Sequence, residues 1–423
     1  MLSTLIEVTD TNMMKSIFPR IRDWMSSVPG ILILLLIVFV WRRPVEWHHP
    51  YVWVEEGTIT LPAYLEQGWH SLWAPVAGYL VLPAKLIFLT SISLSASHYP
   101  AIAYALTLIF EIGTIALIAY SPTHLRFPKL AAVAVALIPT QPEVFAVSEY
   151  AFWWGALWSF VVVFWRVDER PRTIWRCVLT VVGGLSSPMA VPAAALLGYR
   201  AFKQPQRGDK EVFAVAALVA VIQCISVVTA TVPMGFGKRY FDAVQIVVRF
   251  FGHYVISTER PPIALLCVIG LAILGVIFGF AIGRQKWHDK YFVMLLGALC
   301  AAIIASISRV AIDQLHPVLG GPRYFFYPYI FLTWLLLYIY GEAGSRVRAF
   351  IGVVFVCAFV QFLMHGRQEY DTFRWRAELG RCINAGSDIY QLPIQFAGPK
   401  TIAWHVALKG TQCQQLVDRS IFK

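Results

Sequence analysis

Uncharged apolar runs of near-bilayer length recur along this chain, and they restrict it to one class of fold. Residues 30–41, 101–120, 212–232, 263–282, 291–308, 324–340 and 350–364 are apolar. Most are long enough to cross a hydrocarbon layer of ~30 Å as helices. Lipid offers the backbone no hydrogen-bond partners and no alternating barrel pattern is visible, so helices are the expected spanning structure. The further runs 80–94, 127–139, 151–164 and 174–197 bring the expectation to an all-α polytopic membrane protein of about 11 crossings, within roughly 10 to 12. Charged residues make up 14% of the chain and hydrophobic ones 58%, whereas soluble domains carry roughly a quarter charged residues.

The first run follows Lys15, Arg20 and Arg22 and reads as a retained signal anchor, because no small-residue cleavage site succeeds it. The net charge of +11 sits mostly in short loops, such as 166–176, 200–210 and 284–290. That pattern is an orientation signal and a contact for anionic membrane lipids; it excludes a nucleic-acid stripe, so no nucleic-acid partner is expected.

Basic segments at the N-terminus, 200–210, 284–290 and 346–348 belong in the cytoplasm by the positive-inside rule. Eleven simple crossings satisfy all four and place the Glu55/Glu56 loop, 233–260, 309–323 and the C-terminal tail outside. Two basic loops, 123–129 and 166–176, then fall on the wrong side. The conflict disappears if only one net crossing occurs between Ser71 and Tyr120, and if 174–197 is a re-entrant pair broken at Gly183-Gly184-Leu185-Ser186-Ser187-Pro188. Glu143 and Glu149 reach the external face only in this second arrangement.

No internal repeat, low-complexity tract or Gly-rich phosphate loop is present. Residues 1–364 read as the membrane domain, with a first external loop at 42–75, and 365–423 as a small extracytoplasmic domain. A tail of that size builds no large core unaided. It contains Cys382 and Cys413, whereas the other cysteines lie in or beside apolar helices. In an oxidising compartment these two are candidates for a disulfide, with two free thiols as the alternative.

The polar chemistry gathers in the loops. Glu55 and Glu56 follow the first apolar run, and 58–69 carries apolar residues at 59, 61, 64, 65 and 69. That spacing predicts a helix lying in the membrane interface, with Trp69 and Trp73 as anchors, holding the acidic pair at headgroup level. A carboxylate there takes a proton from a hydroxyl or binds a divalent ion, and metal use is left open; ordinary surface acids are the alternative. Arg323 in Gly320-Gly321-Pro322-Arg323-Tyr324 opens a helix, so free N–H groups and a guanidinium are expected to face one anion such as phosphate, with snorkelling to headgroups as the alternative. Lys238 and Arg239, flanked by glycines, suit the same ligand. Glu143, Glu149, Tyr150 and Trp153 offer acceptors and stacking surface for a sugar ring. Lys85 and Glu111 lie inside apolar runs and need partners, which each would find in the other. His48, His49, His70 and His316 show no metal spacing.

The order of these pieces resembles the GT-C superfamily of membrane glycosyltransferases. Glu55-Glu56-Gly57, Gly78-Tyr79-Leu80 with Pro83 and Lys85, Pro142-Glu143-Val144 with Trp153, Gly184-Leu185-Ser186 with Pro188, and the run from Gly321 to Phe325 carry the likeness, which points to bacterial members. The resemblance implies a polyprenyl-phosphate-linked sugar donor, an envelope glycan, lipid or protein acceptor, and a bacterial inner membrane with the active site facing the exterior. It further implies Glu55 or Glu56 as general base, inversion at sugar C1, and Arg323, Tyr324, Lys238, Arg239 and Lys85 around the departing phosphate. The family's acidic motif commonly contains Asp, while both acids here are Glu. A transporter or flippase of a lipid-linked or anionic solute would also use broken helices and buried charges, but related halves are not visible.

Overall fold

The computed structural model describes residues 28–167, 172–203, 205–230, 242–258, 261–370, 372–395 and 404–422. Helix α1 (Val28–Arg42) leads into the first polar loop. A π turn (Glu56–Thr60), α2 (Leu61–Gln67) and a 3-10 turn (Gly68–Trp73) form the helical segment anticipated there. It buries Leu61, Tyr64 and Leu65 and leaves Trp69 and Trp73 exposed, as an interfacial helix requires. Then come α3 (Leu82–Leu94), α4 (Tyr99–Tyr120), α5 (Pro128–Ala136) and α6 (Ala151–Val163). Next are α7 (Thr173–Gly184), α8 (Ala190–Lys203) and α9 (Asp209–Thr229). Short α10 (Ala243–Ile246) and α11 (His253–Val255) flank another π turn. The membrane part ends with α12 (Ile263–Gly283), α13 (Lys290–Ile307), α14 (Phe326–Glu342) and α15 (Ser345–His365).

Among the described residues six helices are long and apolar enough to cross a membrane: α4, α9, α12, α13, α14 with its leading turn, and α15. The chain is a helical membrane-embedded protein. The window containing α14 is 83% buried, against 28–44% for the other five, so α14 forms the axis around which the rest pack.

Two polar rims close the bundle. At one, Glu342 of α14 takes Arg126 and Lys286 at 2.5 and 2.6 Å. The backbone N–H groups of His124 and Arg166 donate to Phe164 and Pro122, which ties loop 121–127 to 164–166. Arg200 donates to the carbonyls of Val163 and Trp165. The basic loops 123–129, 200–210 and 284–290, with residue 166, therefore share one end. At the other end lie Glu46, Glu55, Glu56, Glu143, Glu149 and Arg323.

The run 174–197 is not one helix. At 12 and 14 residues, α7 and α8 are about 18 and 21 Å long. They turn back at Gly183–Pro188, and their outer ends meet where Arg176 and Arg200 both bind Asp209, the latter at 3.0 Å. The tip packs closely enough that a Cβ on Gly183 would lie 2.6 Å from the Ser159 nitrogen. Gln223 of α9 takes up freed backbone there, donating to the carbonyls of Gly184 and Leu80, both at 3.0 Å.

The tail folds as α16 (Trp375–Asn384), strands β1 (Ile389–Ile394) and β2 (Trp404–Lys409), and α17 (Gly410–Arg419). The strands pair antiparallel from Ile389 opposite Lys409 to Ile394 opposite Trp404. This ribbon goes beyond the all-α expectation; the alternation in 389–394, buried at Leu392 and Ile394, is its signal. A disulfide joins Cys382 of α16 to Cys413 of α17. Gln395 donates its N–H to Val52 at 2.8 Å, and Arg419 reaches the carbonyls of Tyr64 and Leu65, so the tail sits on the first polar loop. Gly57 is required by this docking, since a Cβ would lie 2.8 Å from Ile394 Cγ2. Closing a loop of 31 residues contributes roughly 3 to 4 kcal/mol. Cys382→Ser or mild reduction is therefore expected to open residues 375–422 to proteolysis while the helical bundle stays folded; an unchanged cleavage pattern would refute that role.

Candidate functional site

Two adjacent arginines at the end of α1 build the floor of the site. Arg42 is fully buried and donates to the carbonyls of Ala136, Ile138 and Thr140 at 2.9, 2.7 and 3.1 Å. It thereby satisfies the open C-terminal end of α5, where a cation is favoured. Arg43 donates to the carbonyls of Pro142 and Glu143 at 2.7 and 3.1 Å. Glu111 of α4 completes the support, both carboxylate oxygens accepting the Ala146 N–H at 3.0 Å. Loop 137–147 is thus held from two sides, and with it Glu143.

Glu143 and Arg323 meet on this frame. The Gly321 turn (φ 60°) and Pro322 start a 3-10 turn ahead of α14, and the Arg323 N–H donates to Glu143 Oε2 at 3.1 Å. Arg323 Nη1 donates to Glu143 Oε1 at 3.0 Å, donates to the Tyr150 hydroxyl, and lies 3.5 Å from Glu55 Oε1. The Tyr150 hydroxyl is 3.3 Å from Glu55 Oε1 and 3.4 Å from Glu143 Oε1, and its single proton serves one of them at a time. Glu55, Glu143, Tyr150 and Arg323 come from three segments distant in sequence, Glu143 and Tyr150 sharing one, and form one cluster. Only the second topological arrangement brings Glu143 to the side of Glu55.

The acidic pair divides. Glu55 has a side chain 29% exposed, though its Oε2 is itself buried and has no hydrogen-bond partner among the described residues. Glu56 is 1% exposed and turned inward; its Oε1 accepts from Ser148 at 2.8 Å and its Oε2 from the Trp53 N–H at 3.4 Å. Glu56 fastens the π turn to the 3-10 turn Ser148–Tyr150, while Glu55 faces the cluster. π turns in helices often mark functional positions.

Other expected residues are placed differently. Lys85 is buried and donates to the carbonyls of Ser71 and Ala74, both at 2.6 Å. It closes the end of the 3-10 turn Gly68–Trp73 and pairs with neither Glu111 nor a site facing phosphate. Glu149 is 2% exposed and lies buried near Glu56, Glu55 and Lys85. The half-buried Trp153 ring is packed by Tyr324, edge to face, and by Tyr327, at 6.2 and 5.0 Å. Tyr324 lines the site beside the Arg323 guanidinium, 5.4 Å from ring centre. The free N–H expected at Arg323 is already taken by Glu143. Lys238 and Arg239 lie outside the described residues. Among those described, no group of three or more His, Cys, Asp or Glu is arranged to hold a metal. His316 accepts two loop N–H groups through Nδ1, at 3.1 and 3.2 Å; burial and His253 lower its pKa to about 4, so it is a neutral structural histidine.

Arg309 escaped the sequence reading, although it lies in the same external loop as Arg323. Its guanidinium covers the Tyr79 ring at 4.2 Å and reaches the Ala77 carbonyl only at 3.5 Å. Among the described residues no carboxylate pairs with it, whereas Arg323 has two. No family model, curated protein or solved structure matches this chain.

Burial raises the Glu55 carboxyl above its usual range, with Arg323 opposing, and raises Glu56 likewise. Burial, then the charges of Glu56 and Glu55, hold Glu149 well above the ordinary value. A folded-state pKa above the unfolded one means that the folded protein binds more protons. These groups' stabilising contribution is then complete below about pH 4.5 and fades as pH rises through the raised values. The melting temperature is expected to fall as pH rises above about 4.5, and Glu149→Gln to flatten that slope; an unchanged slope would exclude Glu149 as its source.

Proposed function

We propose that this protein is a membrane glycosyltransferase, which moves a sugar from a lipid-phosphate donor to a hydroxyl acceptor on the extracytoplasmic side, with inversion. The observation that carries the reading is the convergence of Glu55 with Arg323, 3.5 Å apart, at one end of an apolar bundle. The half-buried Glu55 carboxylate is the base and takes the acceptor's proton. The acceptor oxygen bonds to sugar C1 as the C1–O bond to phosphate breaks, and the phosphate leaves with the electron pair, still carrying its lipid. The Nε and Nη2 donors of Arg323, which make no hydrogen bond among the described residues, and the guanidinium of Arg309 meet the leaving charge. A raised Glu55 pKa suits a base working near neutrality, so the transfer rate is expected to fall on acidification through that raised value.

Two independent features support the orientation. Arg126, Arg176, Arg200 and Lys286 share the opposite rim, the cytoplasmic one by charge bias. The Cys382–Cys413 bond sits on the site's own side and suits an oxidising compartment. In this reading the path crosses through α1, α4, α5, α6, α9, α12, α13, α14 and α15, with α7–α8 re-entrant, which reduces the eleven crossings first counted. The organism class, a bacterial inner membrane, and the polyprenyl character of the donor rest on the resemblance alone.

A transporter needs a passage joining the rims. Beneath the site Phe145, Trp154 and Phe326 pack at 5.1 to 6.1 Å, and Phe331 follows against Phe160 and Trp334. This aromatic column favours the transferase. The test is incubation of purified protein with radiolabelled polyprenyl-phosphate sugars and an envelope extract. Label is expected to move to an acceptor, and failure with every donor would overturn the proposal.

A further inference from the structure

The re-entrant pair leaves a slot in the wall of the bundle. Helix α8 packs on both α9 and α13. It meets α13 at Gly297, where a Cβ would lie 3.1 Å from Leu196 Cδ2. From that level toward the site's end, α8 continues for about 9 Å, to Ala190, and α13 for about 15 Å, to Ile307. Helix α9 likewise runs on for about 15 Å past Val219, the residue that Gly184 of the tip packs against. Above the tip, α9 and α13 therefore rise beside a space that α7 and α8 do not reach.

The turn 76–79 covers this space. Val76 and Tyr79 exchange both backbone hydrogen bonds at 2.9 Å, with Ala77 (φ 48°) and Gly78 (φ 84°) in the left-handed region. Gly78 lies against α9, where a Cβ would be 3.2 Å from Ala230 Cβ. Leu82 donates its N–H to Leu185 of the tip at 3.2 Å, which sets the turn directly over the re-entrant pair. On the far side the Tyr79 ring lies under Arg309, just beyond α13. Apart from that ring, Arg309 reaches only the Ala77 carbonyl, at 3.5 Å, among the described residues. Arg42, Arg43, Arg249 and Arg323, at the same end, each reach an oxygen within 3.3 Å.

A guanidinium has five N–H donors, and its planar fork matches phosphate, so an anion is a better partner for Arg309 than a ring. The surroundings add a hydrocarbon chain to that anion. Ile225 and Val228 of α9 and Ile304 of α13 are exposed apolar side chains. Inward, Ser306 donates to the Tyr324 carbonyl at 2.6 Å, and the Tyr324 ring faces the Arg323 guanidinium, so the slot leads to the cluster. We propose that a phosphate-bearing membrane lipid binds here, its phosphate on Arg309 in place of the Tyr79 ring and its chain along α9 and α13. That this lipid is the sugar donor rests on the transferase reading; its binding does not.

The test is native mass spectrometry of the full chain in a phosphate-free detergent, titrated with a long-chain prenyl phosphate. Arg309→Gln is expected to weaken binding about 10- to 100-fold. Tyr79→Leu, which removes the competing ring and keeps apolar bulk, is expected to tighten it about 2- to 10-fold. Inorganic phosphate at the same concentration should not displace the lipid, because it brings no chain. No binding to the wild type, unchanged binding to Arg309→Gln, unchanged or weaker binding to Tyr79→Leu, or displacement by inorganic phosphate would overturn the proposal. Misfolding cannot imitate the gain expected of Tyr79→Leu. Because no turnover is read, lipid binding without transfer would sink the transferase reading alone, and transfer with binding independent of Arg309 would sink the slot alone.

Discussion

Glu55→Gln is expected to lower sugar transfer by about 10²- to 10⁴-fold, the range for losing a general base, while the protein purifies and melts as the wild type does. The isosteric amide keeps an oxygen for Tyr150 and for Arg323 Nη1 but has no basic lone pair to accept the acceptor's proton. Glu56→Gln is expected to behave oppositely. Glu56 accepts from Ser148 and from the Trp53 N–H, and an amide presents a donor to one of them. That costs about 1 to 3 kcal/mol, so the melting temperature should drop, with turnover per folded molecule largely kept. Transfer assays normalised to folded protein by size exclusion separate the two effects. Equal transfer by wild type and Glu55→Gln would remove Glu55 from the chemistry; loss of turnover confined to Glu56→Gln would reverse the assignment.

The division between the two acids was not legible in the sequence, because adjacent residues on a helical turn face about 100° apart and nothing local says which faces the cluster. The tertiary partners decide. Glu143 was legible only through charge bookkeeping. The basic loops 123–129 and 166–176 demanded a single net crossing between Ser71 and Tyr120 and a broken helix at Gly183–Pro188; the first brings Glu143 to the side of Glu55, and the second keeps Arg323 there. Lys85 and Glu111 were correctly seen to need partners, yet each found backbone: Lys85 two carbonyls, Glu111 one N–H. A hydrophobicity pattern flags such a charge but is silent about loop carbonyls folded over it. Arg42 and Arg43 stand at the end of the first apolar run with nothing local to mark them. Their burial follows from α5 ending 94 residues away, a relation that no local spacing records.

Asp209→Asn is expected to be the most damaging single change outside the cluster. The carboxylate is 1% exposed and binds two guanidinium groups that are themselves fully buried, Arg176 and Arg200. Removing one partner of a buried ion pair costs about 3 to 5 kcal/mol because the remaining charge stays buried and unpaired; here two such charges are left. The loss falls on the outer ends of α7 and α8, so the hairpin should open there first, and with it the Gly183–Pro188 tip packed on α6 and α9. Replacing the trio together, as Arg176→Met, Arg200→Met and Asp209→Leu, should recover much of the stability, since an apolar set of similar volume replaces a buried ion cluster at little cost. Detergent melting curves of the three proteins are the measurement. If Asp209→Asn melts with the wild type, the ends of α7 and α8 are not joined at Asp209. The chain would then run straight through the bilayer at 174–197, Arg323 would lie on the face opposite Glu55 and Glu143, and the cluster on which the proposed chemistry stands would not form.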